Sequence, residues 1–509
     1  MRVLNLTIKS AFQTIAISTL LLVPNACNDF LNEPPDNRVT LDNLDKAAQL
    51  LTNAYSIASP AFTDWMTDNA GYIREVTLRQ SHERAYAWED FIDDPNELDT
   101  PAFFWQETYN AIAHANEVLA ALETFPAKTD TEQKRKRAIE AEARLARAYG
   151  HFMLVNLFGQ HYDENKAESD KGVPYVETPE TVFIKAYKRN TVKEVYNKVE
   201  ADMLKGIELI DDSFYNNSGK YHFNKNAALA FASRFYLFKG DFDKCIEYST
   251  QMLGSDPGSF VRDLTAAEFQ NASNSPTAYP QLYSSPQQRS NLLLMRKISL
   301  VQRLDFAHGP TNEIYDDIFD SNPFGGTDER ENPSYQKGEN GGFPARYESL
   351  FERSSLNSNV GTPYHIGIMF RGEEVLLNRA EALAEKNRIT EALADLQTLA
   401  NKRYSGTIKT LVIGTPTDPE TQTDLRSFLG LGGFNVSNRI VVLEWLVRER
   451  RREFFVQGMR WFDIKRYEIP VEHTLEDGST IELEDDDLRK VLQIPNSAIE
   501  VGGLTSNPR

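Results

Sequence analysis

Helical periodicity recurs in four places along this chain, largely as adjacent pairs of stripes, and it confines the fold to stacked helical hairpins. Trp105, Tyr109, Ile112, Asn116 and Leu119 lay one stripe along a helix. Ala141, Leu145, Ala148, Phe152 and Val155 lay its partner, with small residues alternating with large ones so that the two axes can approach closely. A second pair opens at Thr191, whose hydroxyl and Glu194 make a capping box, and runs through Val195, Val199, Met203 and Ile207. It resumes from Ala227 to Leu253, where Tyr236, Gly240, Phe242, Cys245 and Met252 take the spacing of a tetratricopeptide hairpin. Cys245 fills the small position at the crossing, a packing role rather than that of a reactive thiol. A third pair repeats the register with Ala380, Leu383, Asn387, Ile389, Ala392, Leu396 and Leu399; Asn387 stands for Gly because it tolerates the left-handed turn. The fourth, Ile440 to Gln457, mixes Leu443, Leu446, Phe454 and Phe455 with dense Arg and Glu. The expectation is an all-α chain of degenerate tetratricopeptide-type hairpins stacked into one scaffold.

Three segments are too long for repeat turns: about 59–100, 254–369 and 404–438. The first carries Trp65, Tyr72, Tyr86 and Trp88, and the second is strewn with Tyr and Phe among Gly, Pro, Ser and Asn, an aromatic load that argues against disorder. Aromatic rings with polar neighbours can hold a ligand that has both apolar and hydrogen-bonding faces. Candidate ligand-binding residues are therefore Trp65, Arg74, Arg79, Tyr86 and Trp88 before the first hairpin, and Tyr279 and Tyr283 in the large insertion. Trp88 leads, with the expectation that Trp88→Ala weakens binding and leaves melting unchanged.

The N-terminus reads as an export signal over residues 1–26, with Arg2 and Lys9 ahead of the apolar run Ala11 to Val23. That run is too short for a bilayer core of about 30 Å. Cys27 stands at its end, after Ala26, as the thiol that bacterial lipoprotein processing acylates; Pro24 and Asn25 occupy places usually held by Leu and a small residue. Residues 27–40 then form a lipid-anchored linker and 41–509 a single helical domain. A net charge of −19 repels phosphate backbones, so nucleic acid is excluded as a partner. No H-E-x-x-H, G-x-S-x-G or C-x-x-C occurs, which argues against an enzyme, and neither a catalytic residue, a metal site nor a cofactor is expected. The acidic run Glu482 to Asp487 lacks calcium-loop spacing and reads as a solvated turn. The Arg448 to Arg466 block, with opposite charges at i±3, reads as a structural ion network.

Within that block, Glu449, Arg450, Glu453, Phe454, Gly458, Arg460, Trp461, Asp463 and Arg466 resemble the C-terminal signature of the SusD/RagB family. Further strings follow family order: Trp105 to Asn116, Glu140 to Tyr149, Gly172-Val173-Pro174, Arg189 with Thr191-Val192, Glu374 to Ala382, Ile494-Pro495 and Asn507-Pro508. Asn28-Asp29 also resembles the export tags of Bacteroidetes surface lipoproteins. The resemblance implies a lipid-anchored protein on the outer leaflet of the outer membrane. It would cap a SusC-like TonB-dependent transporter and pass it an oligosaccharide or peptide ligand. Two other readings stand beside this one, a repeat scaffold that organises surface proteins and an exported hydrolase.

Overall fold

The helices start where the sequence supplies caps. The computed structural model describes residues 41–509 except 74–79, 92, 183–184, 216–217, 302–306, 332–335, 338–339 and 344–345, and its contacts gather Asn43 to Arg509 into one unit. Helix α1 (Leu44–Leu51) is capped by the Asn43 side chain, α2 (Pro101–Thr124) by Thr100, and α3 (Asp130–Phe158) by a Thr129/Glu132 capping box. In α4 (Val192–Leu209) the Thr191 hydroxyl accepts from the Glu194 amide at 3.2 Å and Glu194 accepts from the Thr191 amide at 2.9 Å, the expected box. Helices α5 (Lys225–Lys239) and α6 (Phe242–Leu253) turn at Gly240, φ 77°, while α7 (Gly372–Glu385) and α8 (Ile389–Ala400) turn at Asn387, φ 58°. Both expected left-handed turns are present, and the fold is the helical-hairpin scaffold the periodicity required.

Successive hairpins share one core. A Cβ on Gly150 of α3 would stand 2.9 Å from Ile112 of α2, and one on Gly206 of α4 would stand 2.6 Å from Leu145 of α3, so both contacts depend on a missing side chain. Cys245 is fully buried beside the Asn378 carbonyl, and burial pushes its thiol up to about 12, which keeps it an unreactive packing group. Asn116, on the apolar stripe of α2, accepts from Arg147 at 2.9 Å and donates to the Val176 carbonyl at 3.0 Å.

Two expectations need correction. The fourth stripe does not run to Gln457 as helix: α9 (Asn438–Glu453) stops four residues earlier, Val456 and Gly458 take left-handed φ of 55° and 70°, and α10 (Arg460–Arg466) starts afresh. The Gly458 amide donates to Asp64 at 2.5 Å, and a Cβ there would meet Ala61 at 2.9 Å, so the break seats this turn on the first insertion. The large insertion is also more regular than its composition suggests. Strands β1 (Asn291–Ile298), β2 (Leu350–Arg353) and β3 (Gly361–Arg371) form an antiparallel sheet in the order β1-β3-β2, and β3 leads straight into α7. Further on, β4 (Val471–Thr474) and β5 (Thr480–Leu483) make a hairpin.

The Arg/Glu block is a structural network, although the partners of its buried members come mostly from outside α9. Arg330 of the insertion donates to Glu449 at 2.7 Å and Glu453 at 3.1 Å, while Arg403 holds Glu453 through Nη2 at 2.7 Å and Nε at 2.8 Å. Arg450 and Arg466 close on Asp463, and Arg466 reaches Glu381 of α7 at 2.7 Å.

Candidate functional site

Three segments remote in sequence meet at a cleft of about 500 Å³ whose lining includes Tyr72, Glu83, Arg84, Tyr86, His308 and Glu476. Gly71–Tyr72 pairs antiparallel with His308–Gly309, which places Tyr72 opposite His308. The short helix Gln80–Tyr86 forms one wall, and the turn of the β4/β5 hairpin supplies Leu475, Glu476 and Asp477. That hairpin is tied to the helix end: Tyr86 Oη donates to the Thr474 carbonyl at 2.9 Å, and His473 places Nδ1 2.7 Å from the Tyr86 carbonyl and Nε2 2.9 Å from that of Thr67.

The floor of the cleft is the end of a column of rings. Trp88 stacks on His473 at 4.4 Å, His473 on Tyr86 at 4.1 Å and Tyr86 on His308 at 4.1 Å, with Tyr72 edge-on to His308 at 5.9 Å. Burial, assisted by His473, depresses His308 to about 4, and burial pushes Tyr86 up to about 12, so both rings are neutral near pH 7. Among the described residues the rim is acidic, with Glu83, Glu89, Glu476 and Asp477 facing Arg84. A half-buried tyrosine over a neutral floor, ringed by carboxylates, offers an apolar plate and hydrogen-bond acceptors. That suits a neutral polyhydroxyl ligand, whose O–H groups donate, and disfavours an anion.

The expected site residues divide. Tyr86 belongs to this cleft, at its floor. Trp88 lies deeper in the same column, 4% exposed, its indole N–H donating to the Met66 carbonyl at 2.9 Å and its backbone held at φ 52°. It is a core ring, contrary to the expectation of an open platform, because the left-handed turn after the helix drives it inward. Trp65 is likewise buried and lies 3.8 Å from His82. Tyr279 and Tyr283 fill a satellite core with Leu264 and Phe269. Tyr283 is clasped between Arg262 at 3.8 Å and Arg346 at 5.2 Å; burial would raise its phenol, but the Arg346 and Arg262 charges prevail and hold it below its ordinary value. None of these four presents a face to solvent: Trp65 and Trp88 join the main core, and Tyr279 and Tyr283 the satellite one. Arg74, Arg79 and Cys27 lie outside the described residues.

Sequence reasoning missed His308 and the Leu475 to Asp477 turn, and it noted Tyr72 without choosing it. Tyr72 was within reach, since it belongs to the same aromatic insertion. No local signal tied it to residues more than two hundred positions away.

Two family models match this chain, the first described as starch-binding and associating with the outer membrane, over residues 29–237, and the second as the SusD family, over residues 326–498. The chain belongs to the SusD family. A SusD superfamily protein of Bacteroides thetaiotaomicron superposes with a TM-score of 0.64 at 21% identity, covering 92% of this chain and 100% of that one. A SusD-like carbohydrate-binding protein of Bacteroides vulgatus gives 0.62 at 16%, with 91% and 97% covered, and a laminarin-binding SusD-like protein gives 0.58 at 17%, with 92% and 99% covered. Among curated sequences, SusD-like protein P2 of Formosa agariphila is 24% identical over 170 residues, which span 33% of this chain and 30% of that relative. Among the described residues of this SusD-family chain, no helix is long and apolar enough to cross a membrane.

Proposed function

We propose that this SusD-family protein captures a neutral oligosaccharide in the Tyr72 cleft and hands it to a SusC-like TonB-dependent transporter, held at the cell surface by lipid on Cys27. The observation that carries this reading is the ring column that ends beneath Tyr72 at an acidic-rimmed cleft of about 500 Å³. Ligand pockets commonly run to about 300–1,000 Å³, so the cleft has room for a sugar unit stacked on Tyr72 with its hydroxyls donating to Glu83, Glu89 or Glu476. Family membership supports the same reading, as does the laminarin-binding protein of the same fold.

The test is a glycan and peptide array followed by titration calorimetry on the hit. Tyr72→Ala should weaken binding by roughly five- to thirtyfold, the loss of one stacked aromatic being worth about 1–2 kcal/mol, with an unchanged melting curve. An array blank for glycans, or a hit indifferent to Tyr72→Ala, would overturn the assignment of the cleft. Solubilisation of outer membranes tests the partner: a large barrel protein should co-purify, and its absence would favour a scaffold without transport.

A further inference from the structure

A second concavity, of about 460 Å³, lies along α9 and has the opposite electrical character. Arg448, Arg451 and Arg452 of α9 and Arg460 of α10 line it, against the carboxylates of Asp317 and Glu444. Behind them Asp68 serves two guanidinia: Arg460 holds it through Nε at 2.9 Å and Nη2 at 2.8 Å, and Arg451 Nε stands 3.5 Å away. Burial, reinforced by the Arg460 charge, holds the Arg451 guanidinium below its ordinary value even beside Asp68. Among the described lining residues four guanidinia face two carboxylates, with Asp68 and Glu449 behind them.

The buried groups of this cleft that lack a hydrogen-bond partner among the described residues are all donors. Arg452 donates Nη2 to the Ser321 carbonyl at 2.7 Å and lies 4.8 Å over the Trp445 ring, but its Nε and Nη1 have no hydrogen-bond partner among the described residues. The carboxylate nearest to Arg452 Nη1, Glu449 at 3.9 Å, is taken by Arg330. Arg460 Nη1 and the Trp445 indole N–H are also unmatched among the described residues, whereas no buried acceptor on a lining residue is. A buried donor without an acceptor is costly, so the buried part of the site is short of acceptors. Half-buried Phe428, edge-on to Trp445 at 5.7 Å, adds an apolar face.

We propose that this cleft binds an acidic saccharide unit, its carboxylate or sulfate group against the α9 guanidinia and its ring against Phe428. Arginine forks match such oxyanions bidentately, and the volume exceeds what one inorganic anion fills. The two clefts share no lining residue. The proposal rests on the glycan-binding reading of the protein, but not on the Tyr72 cleft.

The experiment titrates tetragalacturonate, its methyl ester, a sulfated carrageenan tetrasaccharide and inorganic sulfate into the purified chain at low and high salt. Arg448 is the residue to change, because its side chain is 52% exposed and, among the described residues, paired only with Glu444 one turn away. At least one acidic tetrasaccharide should bind, more weakly at high salt. It should lose roughly tenfold in affinity with Arg448→Glu, one charge-assisted contact being worth about 1.5 kcal/mol or more, and should be unaffected by Tyr72→Ala, with melting unchanged in both. Equal binding of the methyl ester, sensitivity to Tyr72→Ala in place of Arg448→Glu, or displacement by inorganic sulfate at equal affinity would each overturn it. If neither acidic probe binds while a neutral glycan binds the Tyr72 cleft, this proposal alone falls; if no glycan of either kind binds, both fall.

Discussion

Glu453→Gln keeps the shape of a buried side chain and removes its charge, and the structure shows what is left behind. Glu453 is 1% exposed and accepts from Arg403 twice and from Arg330 once. Burial alone would raise its carboxyl, but Arg403 and Arg330 hold it well below the usual range. In the variant the amide NH₂ must face one of these guanidinia. Both cations stay sealed in, sharing Asp328, Glu449 and Glu373. Removing one partner of a buried ion pair costs about 3–5 kcal/mol, against a total stability of roughly 5–15 kcal/mol. The matched control is Glu391→Gln, which breaks the pair with Arg388 whose side chains are 55% and 46% exposed, and there the loss should stay below about 1 kcal/mol. Urea unfolding at neutral pH, read by tryptophan fluorescence, gives both values on one scale. The wild type should also lose this contribution as pH falls below the ordinary Glu range of about 4, while the variant has none to lose. Equal destabilisation by the two substitutions would refute the claim that the network fixes the insertion to the scaffold.

Trp88→Ala should cost about 3–5 kcal/mol, because it removes a buried ring and a hydrogen bond; thermal melting checks this, and a shift under about 1 kcal/mol would return Trp88 to the surface. Acid should destabilise the fold through its buried histidines. His308 is depressed to about 4, and His151 and His365 to about 3, all chiefly by burial. Each is neutral in the fold, so its contribution is complete above the unfolded value of about 6.5 and is lost as pH falls toward the folded one. Asp64, pushed up to about 7 by burial, opposes this with a contribution lost as pH rises. Melting temperature should therefore fall between pH 7 and 5, and His308→Gln should flatten part of that slope; a flat wild-type profile would contradict the histidine burial.

Gly240, Asn387 and the Thr191/Glu194 box were legible in the chain because each is local: one residue type meets one backbone requirement within a few positions. The charges of α9 were legible too, and so was their structural role, but not their partners, since Arg330 and Arg403 approach from other segments. Strand β1 escaped notice because Leu292, Leu293, Leu294 and Met295 are buried in succession, which erases the alternation that marks a half-exposed strand. The site fared worst. Aromatic content announces that an insertion is ordered, but a ring seen in sequence has no direction, and Trp88 and Tyr72, sixteen positions apart, end at opposite ends of one stack. Only the pairing of residues 71–72 with 308–309 decides which of them meets solvent.

Arg330 and Gly458 between them nail two of the inserted segments to the same helical end, one through carboxylates and the other through a close backbone contact. A projection anchored so firmly at its root is free to vary at its tip. New recognition can then be acquired by rewriting a few outermost side chains, with no call on the frame to refold around them.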